Sequence, residues 1–311
     1  MTAPAGASAG EGAEPAPDLS RLLPDVATLR RRLEATGYLT DEGLATALFC
    51  AARLPQPILL EGEAGVGKTQ AAKSLAELLG PPLIRLQCYD GIEAAEALYE
   101  WNYPRQLLAI RLAEAAGTHL QESELFGSDY LIERPLLQAV RHPGPLPAVL
   151  LIDEVDRADE EFEAFLLELL AEGSITIPEI GTVRATLPPL AVLTSNRTRD
   201  LHDALKRRCL YHWIDYPDVA RAAAIIRRHV PGAAEPLARS VAGAVQRLRG
   251  LDLQKSPGVA EAIDWVRTLR LLDADRLDAK VTEGTLGSVL KYREDLAAAA
   301  ARGSAWIAQG D

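Results

Sequence analysis

The chain has 311 residues, of which 48% are hydrophobic and 25% charged, an ordinary composition for a protein with a packed core. The 44 acidic residues outnumber the 33 basic ones, and the net charge of −11 argues against a general nucleic-acid binder, which carries a basic face. The three cysteines form no C-x-x-C pair and show no zinc spacing with the five histidines, so we expect a cytoplasmic protein with reduced thiols.

The N-terminal part is predicted to be a tail followed by two helices. Residues 1–18 are rich in Ala, Gly and Pro and lack the basic start and apolar core of a signal peptide, so we expect a flexible tail. Apolar residues at helical spacing predict one helix from 19 to about 36, with Pro24 in its first turn, and another over 41–53. No uncharged apolar stretch is long enough to span a bilayer.

A glycine-rich motif lies between a predicted strand at 57–60 and a helix-favouring segment. It matches the P-loop pattern G-x-x-x-x-G-K-[ST] at every fixed position, with Gly62, Glu63, Ala64, Gly65, Val66, Gly67, Lys68 and Thr69. Backbone N–H groups of such a loop and of the helix start, here including Gln70, converge on phosphate oxygens. Lys68 can reach the β- and γ-phosphates, and the Thr69 hydroxyl can bind Mg²⁺. The sequence therefore predicts a site for ATP and Mg²⁺.

The rest of the chain separates into a mixed part and a helical part. Apolar runs predict further strands at 82–87, 148–152, 190–194 and 212–215, and helical segments separate most of them. Such alternation indicates an α/β fold with a five-stranded parallel sheet covered on both faces. After Pro217 only helical patterns follow, at 219–229, 235–249, 259–272 and 283–301. We predict a nucleotide-binding αβα domain over 19–217 and a small all-helical domain over 218–311.

An acidic pair, Asp153 and Glu154, directly follows the third predicted strand. Ligands of open α/β sheets bind at the carboxyl ends of parallel strands, so both side chains are expected near the P-loop. Asp153 is positioned to hold the Mg²⁺ shell, and Glu154 can polarise a water for attack on the γ-phosphate. The alternative is a solvated helix start, where Asp and Glu are common.

Two further sets of polar residues follow the fourth predicted strand. Asn196 ends that strand, and its amide could orient the attacking water or simply form an Asx turn. Arg207 and Arg208 precede the fifth strand, and one of them could act as an arginine finger from a neighbouring subunit. Paired arginines on a loop are also common as surface charge.

These motifs, taken in order, resemble those of AAA+ ATPases. The segments DEVDRA at 153–158 and LELLAEGSITIPEIGT at 167–182 resemble the MoxR branch, and the similarity extends over roughly residues 38–300. The resemblance implies an AAA+ core with a β-hairpin insert near 174–186, a helical lid and a homo-oligomeric, hexameric ring. It also implies that Asn196 is sensor 1 and that Arg208 is the finger, with Arg207 as a possible second.

A narrower resemblance comes from LQCYDG at 86–91, LYEWNYPRQL at 98–107, KSPGVAE at 255–261 and LGSVLKY at 286–292. These segments are similar to the CoxD-like ATPases of molybdenum hydroxylase maturation. The resemblance implies an ATP-hydrolysing chaperone that remodels a client metalloenzyme such as carbon monoxide dehydrogenase. It further implies a von Willebrand factor A-type partner protein.

One position departs from the MoxR pattern. MoxR relatives often place an arginine, called sensor 2, after Ser-Pro at the start of a lid helix, whereas this chain has Gly258 there. Arg267 and Arg270, further along the same helix, are the candidates to take its place, although neither matches the motif.

An aromatic cluster, Tyr99, Trp101 and Tyr103, has two interpretations. It could face a client, since aromatic residues are enriched in binding hot spots, or it could pack in the core. We favour packing for Trp101 because large aromatic side chains are usually mostly buried.

Other functional classes remain as alternatives. A GTPase would need Asn-Lys-x-Asp, and the nearest stretch, beginning at Asn196, has Arg199 at the aspartate position. A small-molecule kinase would need neither the hairpin nor the long helical segment. A DNA-directed motor is opposed by the acidic balance, and a module that only binds nucleotide is opposed by the complete set of hydrolytic residues.

Overall fold

The computed structural model describes residues 18–54 and 56–309. The tail predicted over 1–18 therefore lies outside the described residues, apart from Asp18. The Asp18 carboxylate accepts a hydrogen bond of 2.9 Å from the Ser20 N–H and so caps the first helix. In the described part of the chain, no helix is both long and apolar enough to cross a bilayer.

The strands of the described residues all fall before residue 214. They are β1 (Ile58–Glu61), β2 (Leu83–Gln87), β3 (Tyr99–Trp101), β4 (Leu131–Glu133), β5 (Val149–Asp153), β6 (Ser174–Ile177), β7 (Gly181–Arg184), β8 (Leu190–Ser195) and β9 (Leu210–Trp213).

The helices that accompany these strands are α1 (Leu19–Leu22), α2 (Val26–Ala35), α3 (Glu42–Arg53), α4 (Lys68–Leu79), α5 (Ala94–Leu98), α6 (Tyr103–Ala115), α7 (Glu122–Leu125), α8 (Pro135–Val140), α9 (Glu160–Glu172) and α10 (Asp203–Arg208). The helices after the last strand are α11 (Val219–His229), α12 (Glu235–Arg249), α13 (Val259–Leu271), α14 (Ala279–Thr285), α15 (Arg293–Arg302) and α16 (Ser304–Ala308). We call α11–α16 the helical region.

The central sheet has five parallel strands in the order β2-β5-β8-β1-β9, which confirms the predicted α/β fold class. Every residue of β1, β5 and β8 is buried, because helices cover both faces of the sheet. Since the strands are parallel, their carboxyl ends lie at one edge. The P-loop, the Asp153-Glu154 pair and Asn196 follow three adjacent strands and therefore meet at that edge.

Two apolar clusters sandwich the sheet. On one face, α2, α3 and α4 contribute Leu29, Leu48 and Leu75, all fully buried. On the other, α8, α9 and α10 contribute Leu137 and Leu166, also fully buried. Burying a leucine side chain contributes about 1.5–3 kcal/mol, so these faces account for much of the favourable free energy of folding.

The helical region has an apolar cluster of its own, centred on Trp265 of α13. The indole is fully buried, and its Nε1–H donates a hydrogen bond of 2.8 Å to the Thr285 Oγ1. A buried indole N–H needs such a partner. The helices after the last strand are therefore held together by this apolar cluster and not by a sheet.

Two predicted helices are each broken in the structure. The helix expected over 19–36 is interrupted between α1 and α2, because Pro24 has no N–H to donate and Asp25 caps a new helix with a bond of 2.6 Å from the Thr28 N–H. The helix expected over 283–301 is divided into α14 and α15. A 3-10 turn at Leu286–Ser288 separates them.

The position of the fifth strand differs from the prediction. The sequence predicts it at 212–215, but β9 begins and ends two residues earlier, where Leu210 pairs with Ile58 and Trp213 with Glu61. The extent of a strand at the edge of a sheet is set by its single neighbour, and the pairing with β1 ends at Trp213.

Two small antiparallel sheets are inserted into the core. Strands β6 and β7 pair antiparallel as a hairpin over 174–184, within the segment 174–186 where the sequence predicts one. Strands β3 and β4 pair at the base of α6, and Trp101 there is only 7% exposed. Its ring packs edge-on against Tyr99 and Phe126 at 5.7 and 5.2 Å, so the packing interpretation of Trp101 is confirmed.

Candidate functional site

A cavity of about 400 Å³ lies between the carboxyl edge of the sheet and the helical region. The predicted site residues that line it are Ala64, Gly65, Val66, Gly67, Lys68, Thr69, Gln70, Asp153, Glu154 and Asn196. Its other wall is more apolar and includes Tyr38, Ile214, Val259 and Ile263. A cavity with one polar wall that carries Lys68 and one apolar wall suits a ligand that has phosphates at one end and a flat base at the other.

The P-loop turns from β1 into α4 through left-handed backbone conformations. Gly65 has φ +78° and Gly67 has φ +100°, which only glycine adopts without strain. Helix α4 begins directly afterwards at Lys68, so its unpaired N–H groups face the cavity. This conformation is the one that gathers backbone donors around an anion.

Lys68 is held inside the loop. Its side-chain ammonium donates hydrogen bonds of 2.6 and 2.8 Å to the carbonyl oxygens of Gly62 and Glu63. The residue is 7% exposed, and this burial lowers the pKa of the ammonium, although nearby carboxylates, first among them Asp156, act in the opposite direction. A cation fixed beside the helix start can neutralise phosphate charge.

The Asp153 carboxylate, 3% exposed, is surrounded by donors. One oxygen, Oδ1, accepts from the Thr69 Oγ1 at 2.9 Å and from the Thr194 Oγ1 at 2.6 Å. The other, Oδ2, accepts from the Arg85 Nε at 3.0 Å and from a terminal nitrogen of the same guanidinium at 2.6 Å. The structure thus brings together the two residues predicted to hold Mg²⁺, Thr69 and Asp153.

The oxygen donors of Thr69 and Asp153 fit the preferences of Mg²⁺, a hard cation that takes oxygen ligands. Within residues 18–54 and 56–309, no cluster of three or more His, Cys, Asp or Glu side chains could hold a metal ion. A P-loop site needs only one or two protein groups, because phosphate oxygens and water complete the coordination of Mg²⁺.

Glu154 has a strained backbone at the cavity wall. Its φ of +55° and ψ of +49° are rare for a residue other than glycine and cost on the order of 1 kcal/mol. The Glu154 N–H donates a hydrogen bond of 2.9 Å to the Thr194 Oγ1, which holds this conformation. The carboxylate stays partly exposed, 3.4 Å from the Arg157 guanidinium. Strain of this kind is concentrated at functional positions, where it directs a side chain that packing alone would not place.

A buried aspartate, Asp156, holds Asn196 near Asp153 and Glu154. The Asp156 carboxylate, 1% exposed, accepts hydrogen bonds from the Asn196 N–H at 3.2 Å and from the Thr198 N–H at 2.8 Å. Asp156 therefore fixes the backbone at the end of β8 and leaves the Asn196 amide at the cavity. The arrangement can orient a water molecule near a terminal phosphate.

Arg207 and Arg208 do not reach this cavity. Both are exposed at the end of α10, and neither lines the cavity of its own chain. Neither arginine is therefore placed to act on the cavity of its own chain.

The helical region touches the P-loop at Gly258. The Val259 N–H, at the start of α13, donates a hydrogen bond of 3.1 Å to the Gly65 carbonyl oxygen. A Cβ on Gly258 would lie 2.8 Å from the Gly65 Cα, closer than real Cβ atoms come, and would also be tight against the Ala64 carbonyl oxygen at 3.0 Å. The φ of Gly258, −88°, suits any residue, so the lack of space requires the glycine here.

Arg249 stabilises the segment that brings Gly258 against the P-loop. Its Nε donates a hydrogen bond of 2.7 Å to the Pro257 carbonyl oxygen, and its guanidinium stacks 3.8 Å above the Tyr216 ring. The segment that leads into α13 is therefore held between α12 and the end of the core.

The proposed substitutes for sensor 2 are wrong. Arg267 forms an exposed pair with Asp264, and Arg270 donates to the Pro231 carbonyl oxygen, so neither lines the cavity. Both lie two or more helical turns beyond Gly258, too far along α13 to face the P-loop. The helical region instead presents Arg221 of α11, which lines the cavity and pairs with Asp41 at 3.0 Å.

Sequence reasoning also missed Arg85 and Asp156. Arg85 could have been noticed from the sequence, because its charged side chain interrupts the apolar residues of strand β2 between Ile84 and Leu86. Asp156 was visible within the acidic segment after β5, but only the fold shows that its carboxylate is buried.

Comparisons with known proteins agree with this geometry. Residues 57–209, slightly less than half of the chain, match the family model described as AAA domain (dynein-related subfamily). Two relatives are protein NorQ of Paracoccus denitrificans, 25% identical over 232 residues, and the denitrification regulatory protein NirQ of Pseudomonas aeruginosa, 26% identical over 231 residues. The alignments cover 72% of this chain and 77% and 78% of those relatives.

Among solved structures, the RuvB Holliday junction branch migration motor of Thermotoga maritima aligns with a TM-score of 0.45 at 17% identity. That alignment covers 83% of this chain and 68% of RuvB.

The Gly65–Gly258 contact leads to the first prediction. In Gly258→Ala and Gly258→Arg, the new side chain cannot fit against the P-loop backbone, so α13 must move away and take Val259 and Ile263 with it. Overpacking of this kind costs about 1–3 kcal/mol, and we expect ADP to bind about tenfold more weakly in calorimetric titration.

A matched control is Gly287→Ala, because a Cβ at Gly287 has nothing within 4 Å and its φ needs no glycine. That variant should bind ADP like the wild type. Wild-type affinity in Gly258→Ala would contradict the proposed contact.

Proposed function

We propose that this chain, whose residues 57–209 match an AAA domain, is a ring-forming ATPase that converts ATP and water to ADP and phosphate. The observation that carries the proposal is the convergence of the P-loop, Asp153, Glu154 and Asn196 on one cavity. A P-loop alone supports nucleotide binding. A strained, partly exposed glutamate beside it supports activation of a water molecule.

Each residue then has a task. The P-loop N–H groups and the Lys68 ammonium bind the phosphates, and Thr69 and Asp153 hold Mg²⁺, which neutralises developing charge when bound. The Glu154 carboxylate accepts a proton from the attacking water, and the Asn196 amide keeps that water in line with the γ-phosphate. Tyr38 and the apolar wall leave room for the base.

We further propose that Arg208, assisted by Arg207, completes the site of the neighbouring subunit. Their exposure at the end of α10, outside their own cavity, supports this role. A head-to-tail interface of this type closes into a ring, and the resemblance to AAA+ proteins favours a hexamer. Motion of a lid, residues 218–311, against a core domain, residues 19–217, would transmit the nucleotide state through Gly258.

For the client we propose a metalloenzyme of the molybdenum hydroxylase class, such as carbon monoxide dehydrogenase, served together with a von Willebrand factor A-type partner in the cytosol. The support is the resemblance of segments 86–91, 98–107, 255–261 and 286–292 to CoxD-like ATPases. The name of the relative NirQ, a denitrification regulatory protein, supports a regulatory role for this chain.

Glu154→Gln tests the hydrolytic role. The amide cannot accept the proton from water, so phosphate release should fall by about a hundredfold or more, whereas ATP affinity should change by less than about threefold. Phosphate release and calorimetric ATP binding measure the two effects separately.

Glu160→Gln, at an exposed position in α9, makes the same chemical change away from the cavity and should leave both values unchanged. Equal loss of binding and turnover in Glu154→Gln would contradict a role for Glu154 in the chemical step.

A mixing experiment tests whether Arg208 acts in trans. Glu154→Gln and Arg208→Ala should each be inactive alone, because every site of either homo-oligomer lacks one group. In rings mixed at equal ratio, about a quarter of the interfaces combine an intact Glu154 with an intact Arg208, so phosphate release should reappear. No recovery in mixed rings, with subunit exchange verified, would exclude a finger at Arg208.

A substrate-trapping experiment tests the client. Tagged Glu154→Gln held in ATP should retain a molybdenum hydroxylase or a von Willebrand factor A-type protein from an extract of its source cells, as identified by mass spectrometry. Lys68→Ala, which loses phosphate contacts, should retain neither. Recovery of the same proteins by both variants, or of only DNA and ribosomal material by the trap, would contradict the proposed client.

A further inference from the structure

Arg85 contacts the Asp153 carboxylate, although it is not one of the residues that take part in the proposed reaction. It lies on β2, the edge strand next to β5, and its Cα pairs in register with Leu151. Side chains two residues apart on a strand share a face, so Arg85 and Asp153 are diagonal neighbours across the two strands. That separation is within reach of a long side chain such as arginine.

The contact uses the shape of the guanidinium. Two of its nitrogens donate to the same oxygen, Asp153 Oδ2, at 3.0 and 2.6 Å, and one of them also donates to the Gln87 Oε1. Because both donors come from one planar group, they hold Oδ2 in place from a defined direction. A lysine would supply the same charge but not this fork, that is, two hydrogen bonds donated by one planar group.

The opposite oxygen is the one that faces the predicted cation site. Asp153 Oδ1 accepts from the hydroxyls of Thr69 and Thr194. Arg85 therefore acts on the oxygen far from Thr69 and leaves the near oxygen directed toward it. Removing a group that hydrogen-bonds to a metal ligand on the side away from the metal typically lowers metal affinity or activity by about 10–100-fold.

Two effects of Arg85 on a cation oppose each other. Its positive charge repels Mg²⁺, whereas its hydrogen bonds orient the ligand that Mg²⁺ needs. The Arg85 side chain is 46% exposed, so solvent screens its charge. The Asp153 side chain is only 4% exposed, and water cannot readily replace donors lost there. Orientation should therefore outweigh repulsion.

We propose that Arg85 is a positioning residue for the divalent cation of this site, holding Asp153 so that its Oδ1 stays beside the Thr69 hydroxyl. This inference rests on the proposed function, since it needs a site that binds ATP together with Mg²⁺.

The test measures how strongly Mg²⁺ increases ATP affinity, by calorimetric titration of ATP with Mg²⁺ or with EDTA. Wild type must first show that increase; if it binds no ATP, or binds it equally well in EDTA, the proposed function fails and not only the role of Arg85. In Arg85→Ala, the Mg²⁺-dependent gain in affinity should shrink about tenfold, with affinity in EDTA unchanged. Arg85→Lys should fall between the two, because it keeps the charge but not the fork.

Arg134→Ala is the matched control. Its side chain is also 46% exposed and paired with a carboxylate, that of Glu100, but it lies at the start of α8 and outside the cavity. It should keep the wild-type dependence on Mg²⁺. A wild-type or larger Mg²⁺ gain in Arg85→Ala would overturn the inference. Should that variant fail to fold, Arg85→Lys decides in the same way, because a wild-type gain there shows that the fork is not needed.

Discussion

The buried carboxylate of Asp153 is the constraint on which the site depends. It lies at the end of β5, where hydrogen-bond donors from three other elements surround it. Arg85 comes from β2, Thr194 from β8 and Thr69 from α4. The strand order places β2 and β8 on either side of β5, so the sheet topology itself assembles the donors. The P-loop thereby has a fixed position relative to the acidic pair.

The second constraint is the contact between two glycines. Gly65 in the P-loop and Gly258 before α13 approach so closely that neither could carry a side chain without displacing the other backbone. The usual sensor-2 arginine would have no room at this position. Instead, the Val259 N–H donates a hydrogen bond directly to the Gly65 carbonyl oxygen, so the P-loop and the helical region are joined through backbone atoms. Arg249, stacked on Tyr216, keeps the connecting segment in place.

The sequence predicted the sheet and most of the polar wall, because both depend on local patterns. Apolar runs followed by Gly62, Asp153 and Asn196 mark strand ends, and the carboxyl ends of parallel strands share one edge. Arg85 and Asp156 could not be assigned, since their partners are 68 residues and about 40 residues away in the chain and depend on strand order. The broken helices at Pro24 and at Leu286–Ser288 show the limit of periodicity, because apolar spacing can continue through a turn that packs on the same core.

Phosphate release by the wild-type chain in ATP, followed over a range of protein concentrations, tests the shared hydrolytic site most directly. We expect release that stops when Mg²⁺ is chelated and whose rate per subunit rises with protein concentration, because Arg208 must come from a second copy. A folded chain that releases no phosphate at any concentration would contradict the ATPase itself. A constant rate per subunit in a chain that stays monomeric throughout would contradict the shared site.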